Sequence, residues 1–469
     1  MMEKQIAEKL PEGQLLTKSG SKLPIKAYKR RWWIMFVFMY YAGINALQWI
    51  EYSSITAIVV KYYNVSTLAV DWTSTVFMVV YPILVIPASY LIDKKGVRLA
   101  VLVGCTGTFI GTAIKVLSIR GDMFWLVLVG NTIVSASCLV IVCLPPKLAS
   151  LWFQANEVST ACSLGVFGSQ MGSAIGFVLP PFLVHDHDNL EDIGSNLKVL
   201  CWVLAIAMIP PTVAVFLYFP DEPPLPPSNV QAVLRENKVQ FDTKVFFLSI
   251  KDLFLNTGFV IHLCGYGINI AVFSAIGTLL SQFILSFFEG ANQEAGFMGF
   301  ILIIAGMIAM LAFGILLDKT HKYKEIALFN YFFAGVSILC LMFALKYRLK
   351  IMTYVACILV GIFTNAYMMV GFEFGMELTF PAEESTTSGI MLASSQILGA
   401  IFTISLGYIN LWLGPFWALS TQVVMMFIGT IATAFVPNDL RRQEAFRRNS
   451  PEYSVRKASY HGSRPMFIE

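Results

Sequence analysis

The recurrence of long apolar runs constrains this chain more than any other feature. About 20 largely apolar residues are needed to cross the hydrocarbon of a bilayer. Windows of that kind occur at roughly 33–60, 72–92, 99–119, 124–149, 159–184, 198–219, 257–287, 296–317, 325–345, 351–378, 386–409 and 415–436. With 57% of residues hydrophobic and only 13% charged, lipid rather than water must solvate such a surface, which predicts an integral membrane protein. Backbone groups left unpaired in hydrocarbon are costly, and only helices and closed barrels leave none. The runs are too long for barrel strands, so an all-α membrane protein of twelve transmembrane helices is expected.

Charge orients the spans. Lys22, Lys26, Lys29, Arg30 and Arg31 precede the first run, and Arg441, Arg442, Arg447 and Arg448 follow the last. Positive charge is retained on the cytoplasmic side, which predicts cytoplasmic N- and C-termini. The acidic segments at 185–192 and 289–294 then fall outside. One loop dissents: Lys346, Arg348 and Lys350 lie on the external side in this scheme. The segment that ends at Arg31 is polar and the first apolar run is a full span, so no cleavable signal peptide is expected. Asn64-Val65-Ser66 is a glycosylation sequon on the predicted external side, making Asn64 a candidate acceptor.

The chain repeats itself. Asp93-Lys94-Lys95-Gly96-Val97-Arg98, between the second and third runs, is echoed by Asp318-Lys319-Thr320-His321-Lys322 between the eighth and ninth. Glu157, Ser159, Thr160 and Gln170 are answered by Glu383, Ser385, Thr386 and Gln396, all at one and the same offset along the chain. Gly43-Ile44-Asn45 reappears as Gly267-Ile268-Asn269 at nearly that offset, and Trp49 is answered by Phe273. Two six-helix halves in parallel repeat are therefore expected, at 33–219 and 257–436. A linker of 220–256 joins them, opening on the proline-rich Pro220 to Pro227, and tails of 1–32 and 437–469 flank them. Parallel repeats with a substrate site between them, alternately exposed by rocking, describe the major facilitator fold.

Polar residues inside spans mark candidate chemistry. Tyr41, Asn45, Gln48, Trp49 and Tyr52 share one face of the first helix, which reads as a cavity wall or as interhelical glue. Glu51 is expensive in lipid unless it meets water or a partner. Asp71 reads as a carboxylate at the start of a helix, and Lys115 as a snorkelling base. Gly165, Gly168, Gly172 and Gly176 predict close helix packing, and Pro145-Pro146 a helix end or kink. His262 reads as a packing residue. The eight cysteines stand singly inside or near spans, with no spacing that suggests a disulfide framework or a metal cluster. No cofactor, metal or nucleic-acid partner is expected.

Several segments together carry a resemblance: Arg30-Arg31-Trp32, Asn45 to Ile50, Asp71-Trp72, Trp152-Phe153 with Glu157 to Cys162, Gly371 to Phe374 with Glu377, Ser388-Gly389 with Ala393 to Gly399, and Asp439 to Arg442. In these the chain resembles the feline leukaemia virus subgroup C receptor-related transporters over nearly all of its membrane region. The resemblance implies transport of choline or ethanolamine across the plasma membrane, with haem as an alternative cargo. The family's choline pocket maps onto Asn45, Trp49 and Gln396. Its span-four Gln falls at Cys138 and its span-seven Tyr at Ser274, beside Phe273. Ser89 and Val97 depart from the superfamily's loop pattern, in which Asp93 and Arg98 latch the conformation.

The expected substrate is thus a small organic cation. A quaternary ammonium is best held by aromatic faces, because cation–π attraction of about 2 kcal/mol when desolvated avoids burying a fixed charge. Trp49, with Phe273 or Tyr266 opposite, supplies such faces; Asn269 and Gln170 complete the candidate set. Another organic solute remains an alternative, as does haem. Glu373 and Glu377, near the cytoplasmic end of span ten, suit gate pairing rather than proton transfer, so facilitated, uncoupled transport by a monomer is expected. A membrane receptor is disfavoured by the duplication, and an enzyme by the lack of HExxH, GxSxG or a Walker loop.

Overall fold

The computed structural model describes residues 26–154, 157–227, 253–380 and 384–439. The helices are α1 (Arg30–Ile50), α2 (Thr56–Tyr63), α3 (Thr67–Lys95), α4 (Val97–Leu117), α5 (Phe124–Cys143), α6 (Pro145–Trp152), α7 (Val158–Leu183) and α8 (Leu190–Tyr218) in the first half. The second half holds α9 (Thr257–Phe287), α10 (Asn292–Thr320), α11 (Tyr323–Lys346), α12 (Lys350–Thr379), α13 (Glu384–Leu413) and α14 (Pro415–Phe435). Twelve stretches among the described residues are long and apolar enough to cross a membrane, and α1 with α2 forms one of them. Arg30 and Phe435 open and close this series on one face of the bundle; the opposite one is the far face.

The first span is not the single helix that its apolar run predicts. It breaks after Ile50, passes through a 3-10 turn at Ser53–Ile55 and resumes as α2. Irregular backbone at membrane depth is tolerated only where protein covers it. Residues 51–56 are all buried, and the loosened carbonyls find hydroxyl donors. Ser54 Oγ donates to Glu51 O at 3.0 Å, Thr56 Oγ1 to Ser53 O at 3.0 Å, and Ser281 Oγ of α9 to Ser54 O at 3.0 Å.

Small residues fix how the helices pack. A Cβ on Gly172 of α7 would overlap the backbone of Gly43 on α1, and one on Gly168 would press on Met39. Backbone-to-backbone approach of this kind is how helices associate in lipid, where apolar surface gives no net drive. The second half repeats the device with Gly361 of α12 against Leu302 of α10. Pro145 starts α6 directly after α5 ends, so the proline pair does mark a helix end. Gly96 has φ +88°, and a side chain there would strike the carboxylate of Asp221. That carboxylate accepts from Arg98 N at 2.9 Å, a favourable anion at the start of α4.

Two basic residues of the dissenting loop have close neighbours. Lys350 Nζ donates to Glu294 Oε1 at 2.6 Å, and Lys346 Nζ lies 4.6 Å from the centroid of Phe416. Two of its three charges are thereby held by neighbours on the far face.

The apolar core of the second half is continuous with Ile50, Ala174 and Phe177 of the first. These three lie on the seam between the halves. Phe177 sits under Gly296 and Gly299 of α10, so α7 and α10 meet closely. The named contacts between the halves run from mid-bundle to the far face, which is therefore closed.

Candidate functional site

Trp49 closes α1 one residue before the break, and its placement follows from that geometry. The carbonyl of Trp49 accepts from Ser74 Oγ of α3 at 2.8 Å, which ties the end of α1 to its neighbour. Its indole, half-buried, crosses the seam and stands 3.5 Å from where a Cβ of Gly277 would be. The absence of a side chain on Gly277 leaves room for the ring. Phe273 lies one turn back along α9, about 6 Å at 1.5 Å per residue, and is also half-buried. Trp49 and Phe273 are thus brought to one region at mid-membrane.

The second wall of that region comes from α13. Ser274 is buried, with its Oγ 3.9 Å from the position of a Gly399 Cβ, and Gln396 is one turn from Gly399 on the same helix. Met78 of α3 packs on α13: its sulfur lies 3.2 Å from the Gly399 Cβ position and 3.9 Å from Thr403 Oγ1. Gln396 is half-buried, as are Cys138 on α5 and Gln170 on α7.

Other expected members of the site have different immediate neighbours. Tyr266 does not face Trp49: it sits three turns before Gly277, about 16 Å along α9, and packs on Tyr367 at 6.5 Å and His262 at 6.3 Å. It is a core residue of the second half. Asn45 is fully buried and its amide donates to Thr108 Oγ1 at 2.9 Å and Val134 O at 3.1 Å. It holds α1 to α4 and α5, so the polar stripe of the first span serves as glue at this position. Gln48 does likewise, accepting from Thr112 Oγ1 at 3.0 Å. Asn269, the repeat partner of Asn45, is equally buried, and neither its Nδ2 nor its Oδ1 has a hydrogen-bond partner among the described residues.

Two charged residues depart from their expected roles. Lys115 does not snorkel: it is fully buried and pairs with Glu51 Oε2 at 2.5 Å, with the ring of Tyr52 5.5 Å from its Nζ. A carboxylate on the broken span and a base on α4 can each stay in the bundle because the other is there. Asp71 is more than a carboxylate at a helix start. It is 4% exposed and its Oδ1 accepts from Gln282 Nε2 of α9 at 2.6 Å. Gln282 Oε1 in turn accepts from Asn410 Nδ2 of α13 at 3.1 Å. This chain of polar groups, with Ser281 on Ser54 O and Gln293 3.3 Å from His185, bolts the halves together toward the far face. Helix-start context hides it, because Gln282 and Asn410 belong to the other half of the chain.

Of the gating candidates, Arg98 is exposed beside Asp221, Glu373 is half-buried and Glu377 buried near the end of α12. The side chains of Asp93 and Asp318 lie outside the described residues, as do Glu383 and the basic residues Lys22 and Arg441 to Arg448 of the tails. Asn64 is exposed at the end of α2 with φ +52°. Ser66, the sequon hydroxyl, caps α3 by accepting from Ala69 N at 3.2 Å. His262 is fully buried with Nε2 2.7 Å from Gly371 O, its ring edge-on to Phe374 at 5.0 Å.

Comparison with known proteins places this architecture. A family model described as Major Facilitator Superfamily matches residues 32–403. The chain is 39% identical over 431 residues to an uncharacterised MFS-type transporter of Caenorhabditis elegans, covering 92% of this chain and 73% of that one. It is 36% identical over 435 residues to the choline/ethanolamine transporter flvcr2a of Danio rerio, covering 93% and 92% of the two chains. With the choline/ethanolamine transporter FLVCR2 of Homo sapiens it shares 35% identity over 421 residues, 90% of this chain and 80% of that one. Among solved structures, a bacterial homologue of the human lysosomal transporter Spinster, inward-facing and unoccupied, matches with TM-score 0.66 at 14% identity over 91% of this chain and 100% of that one. The transporter FucP in its outward conformation matches with TM-score 0.61 at 14% identity, over 87% and 99%. At such identities these two structures speak for the fold alone.

Proposed function

The chain belongs to the major facilitator superfamily as a multi-pass membrane transporter rather than an enzyme, and from that premise we propose that it carries choline or ethanolamine by facilitated alternating access. The observation that carries the reading is Trp49 lying across the seam, with Phe273 one turn away on the opposing half. A cation between such rings gains attraction without a buried counter-charge, and loses it when the halves part. Ser274 and Gln396 supply hydroxyl and amide groups to orient a substrate alcohol or amine. Glu51 is already paired, which leaves it unsuited to shuttle a proton, and supports transport driven by the substrate gradient and the membrane potential.

The basic residues beside the first and last spans support cytoplasmic termini, and similarity to the choline/ethanolamine transporters supports a plasma-membrane address. The far face is then extracellular, and the closed seam corresponds to a state shut to the outside. Asn64, exposed on that face, is the proposed glycan acceptor. The transporter works as a monomer, its two halves together forming the site. Haem is the weaker cargo: the His262 ring is sealed in the core of the second half and engaged by Gly371 O.

The test is radiolabelled choline uptake by cells expressing wild type, Trp49→Ala and Gln396→Ala at matched surface levels. Uptake by the wild type, reduced in both variants, is expected; surface-expressed wild type without uptake removes the substrate assignment. In proteoliposomes, uptake that requires a pH gradient at zero potential removes the uncoupled mechanism.

A further inference from the structure

Away from the mid-membrane site, a cavity of 290 Å³ opens at the far-face end of the seam, lined by Val178, Phe182, Gln293, Glu294, Phe297 and Tyr354. Its volume is close to the lower end of the range of about 300–1,000 Å³ typical of ligand sites. Phe182 is one residue from the end of α7, Glu294 lies in the first turn of α10 and Tyr354 in the second turn of α12. The cavity therefore sits at the depth of lipid headgroups. Both halves build it: α7 belongs to the first, α10 and α12 to the second.

Its chemistry is mixed. Phe297 and Tyr354 meet edge to face at 6.4 Å and 63°, and Phe182 is exposed across from them. Of the lining residues, Glu294 pairs with Lys350 at 2.6 Å, with 39% and 51% of their side chains exposed. A simple anion entering there meets Glu294, and a simple cation meets Lys350. A zwitterion can exchange this ion pair for two of its own, its phosphate on Lys350 and its quaternary ammonium between Glu294 and the rings. Position at the bilayer edge and the apolar flanks at Val178 and Phe182 suit acyl chains rather than a free solute.

We propose that this cavity binds the zwitterionic headgroup of a phosphatidylcholine-type lipid from the adjacent leaflet. Its walls come from both halves, and Phe177 packs under Gly296 and Gly299 beside it. The site is therefore whole only while the far face is closed. The proposal rests on the transporter reading for its setting but not on the identity of the cargo.

The experiment is native mass spectrometry of the full-length protein released from nanodiscs containing equal phosphatidylcholine and phosphatidylglycerol. Wild type is expected to retain phosphatidylcholine selectively. Tyr354→Ala and Glu294→Gln, each monodisperse, are expected to lower that retention about tenfold. Trp49→Ala is expected to keep it while losing uptake, which separates failure of this site from failure of the substrate reading. Equal retention of the two lipids, or unchanged retention in both cavity variants, overturns the proposal. So does displacement of the lipid by free choline at millimolar concentration, which makes the cavity a solute subsite.

Discussion

Glu51 and Lys115 form an ion pair of 2.5 Å with neither side chain exposed, at the point where the first span stops being a helix. The pair joins the break to α4, and Trp49 stands two positions before Glu51. Its integrity therefore bears on the position of the indole.

Removing one member of a buried pair strands the other, at a cost of about 3–5 kcal/mol. Lys115→Met is expected to lower thermal stability in detergent markedly. The double variant Glu51→Gln with Lys115→Met is expected to recover much of the loss, because no uncompensated charge remains. Melting followed by tryptophan fluorescence or size-exclusion survival gives the comparison, and a double variant no better than the single one contradicts the pairing argument.

Loss of the Trp49 ring removes a cation–π contact of about 2 kcal/mol, which corresponds to roughly 30-fold in apparent affinity for a quaternary ammonium. Trp49→Phe is expected to retain more activity than Trp49→Ala. Concentration dependence of choline uptake distinguishes this from a folding defect, since the maximal rate at matched surface expression falls less than the affinity.

Asp71 and Gln282 join the halves through a 2.6 Å hydrogen bond in a buried setting. Asp71→Ala leaves the Gln282 amide without its acceptor, at about 1–3 kcal/mol. The far face is then expected to open more often. Thr278→Cys, buried one turn from Gln282, should react faster with a membrane-impermeant maleimide in the Asp71→Ala background. Equal reaction rates in the two backgrounds argue against Asp71 as a bolt.

Cys138 and Ser274 stand where the family resemblance implies Gln and Tyr. Cys138→Gln together with Ser274→Tyr is expected to raise choline affinity and narrow the range of amines that compete for uptake. Competition curves with ethanolamine and bulkier ammonium ions measure the change; identical curves for wild type and variant place these positions outside the pocket.

Gly172→Leu forces a side chain into the backbone of Gly43 and is expected to abolish folded protein, whereas Gly389→Ala, with no neighbour within 4 Å, is expected to cost far less. Surface yield of the two variants is the measurement.

The sequence by itself determined the span count, the all-helical class and the duplication, because lipid permits few backbone solutions and constant offsets survive divergence. It also marked the small-residue stripe of α7, since close approach of helices requires the absence of side chains at regular intervals. The tertiary structure alone decided which polar residues serve which purpose. Asn45 and Trp49 lie one turn apart on the same helix, yet one is locked into Thr108 and Val134 while the other crosses to Gly277. Local context misassigns Lys115 and Asp71 because their partners, Glu51 and Gln282, come from distant spans. Helical spacing sets which residues share a face. What that face meets depends on how the helices pack, and on the break after Ile50 that no apolar pattern announces.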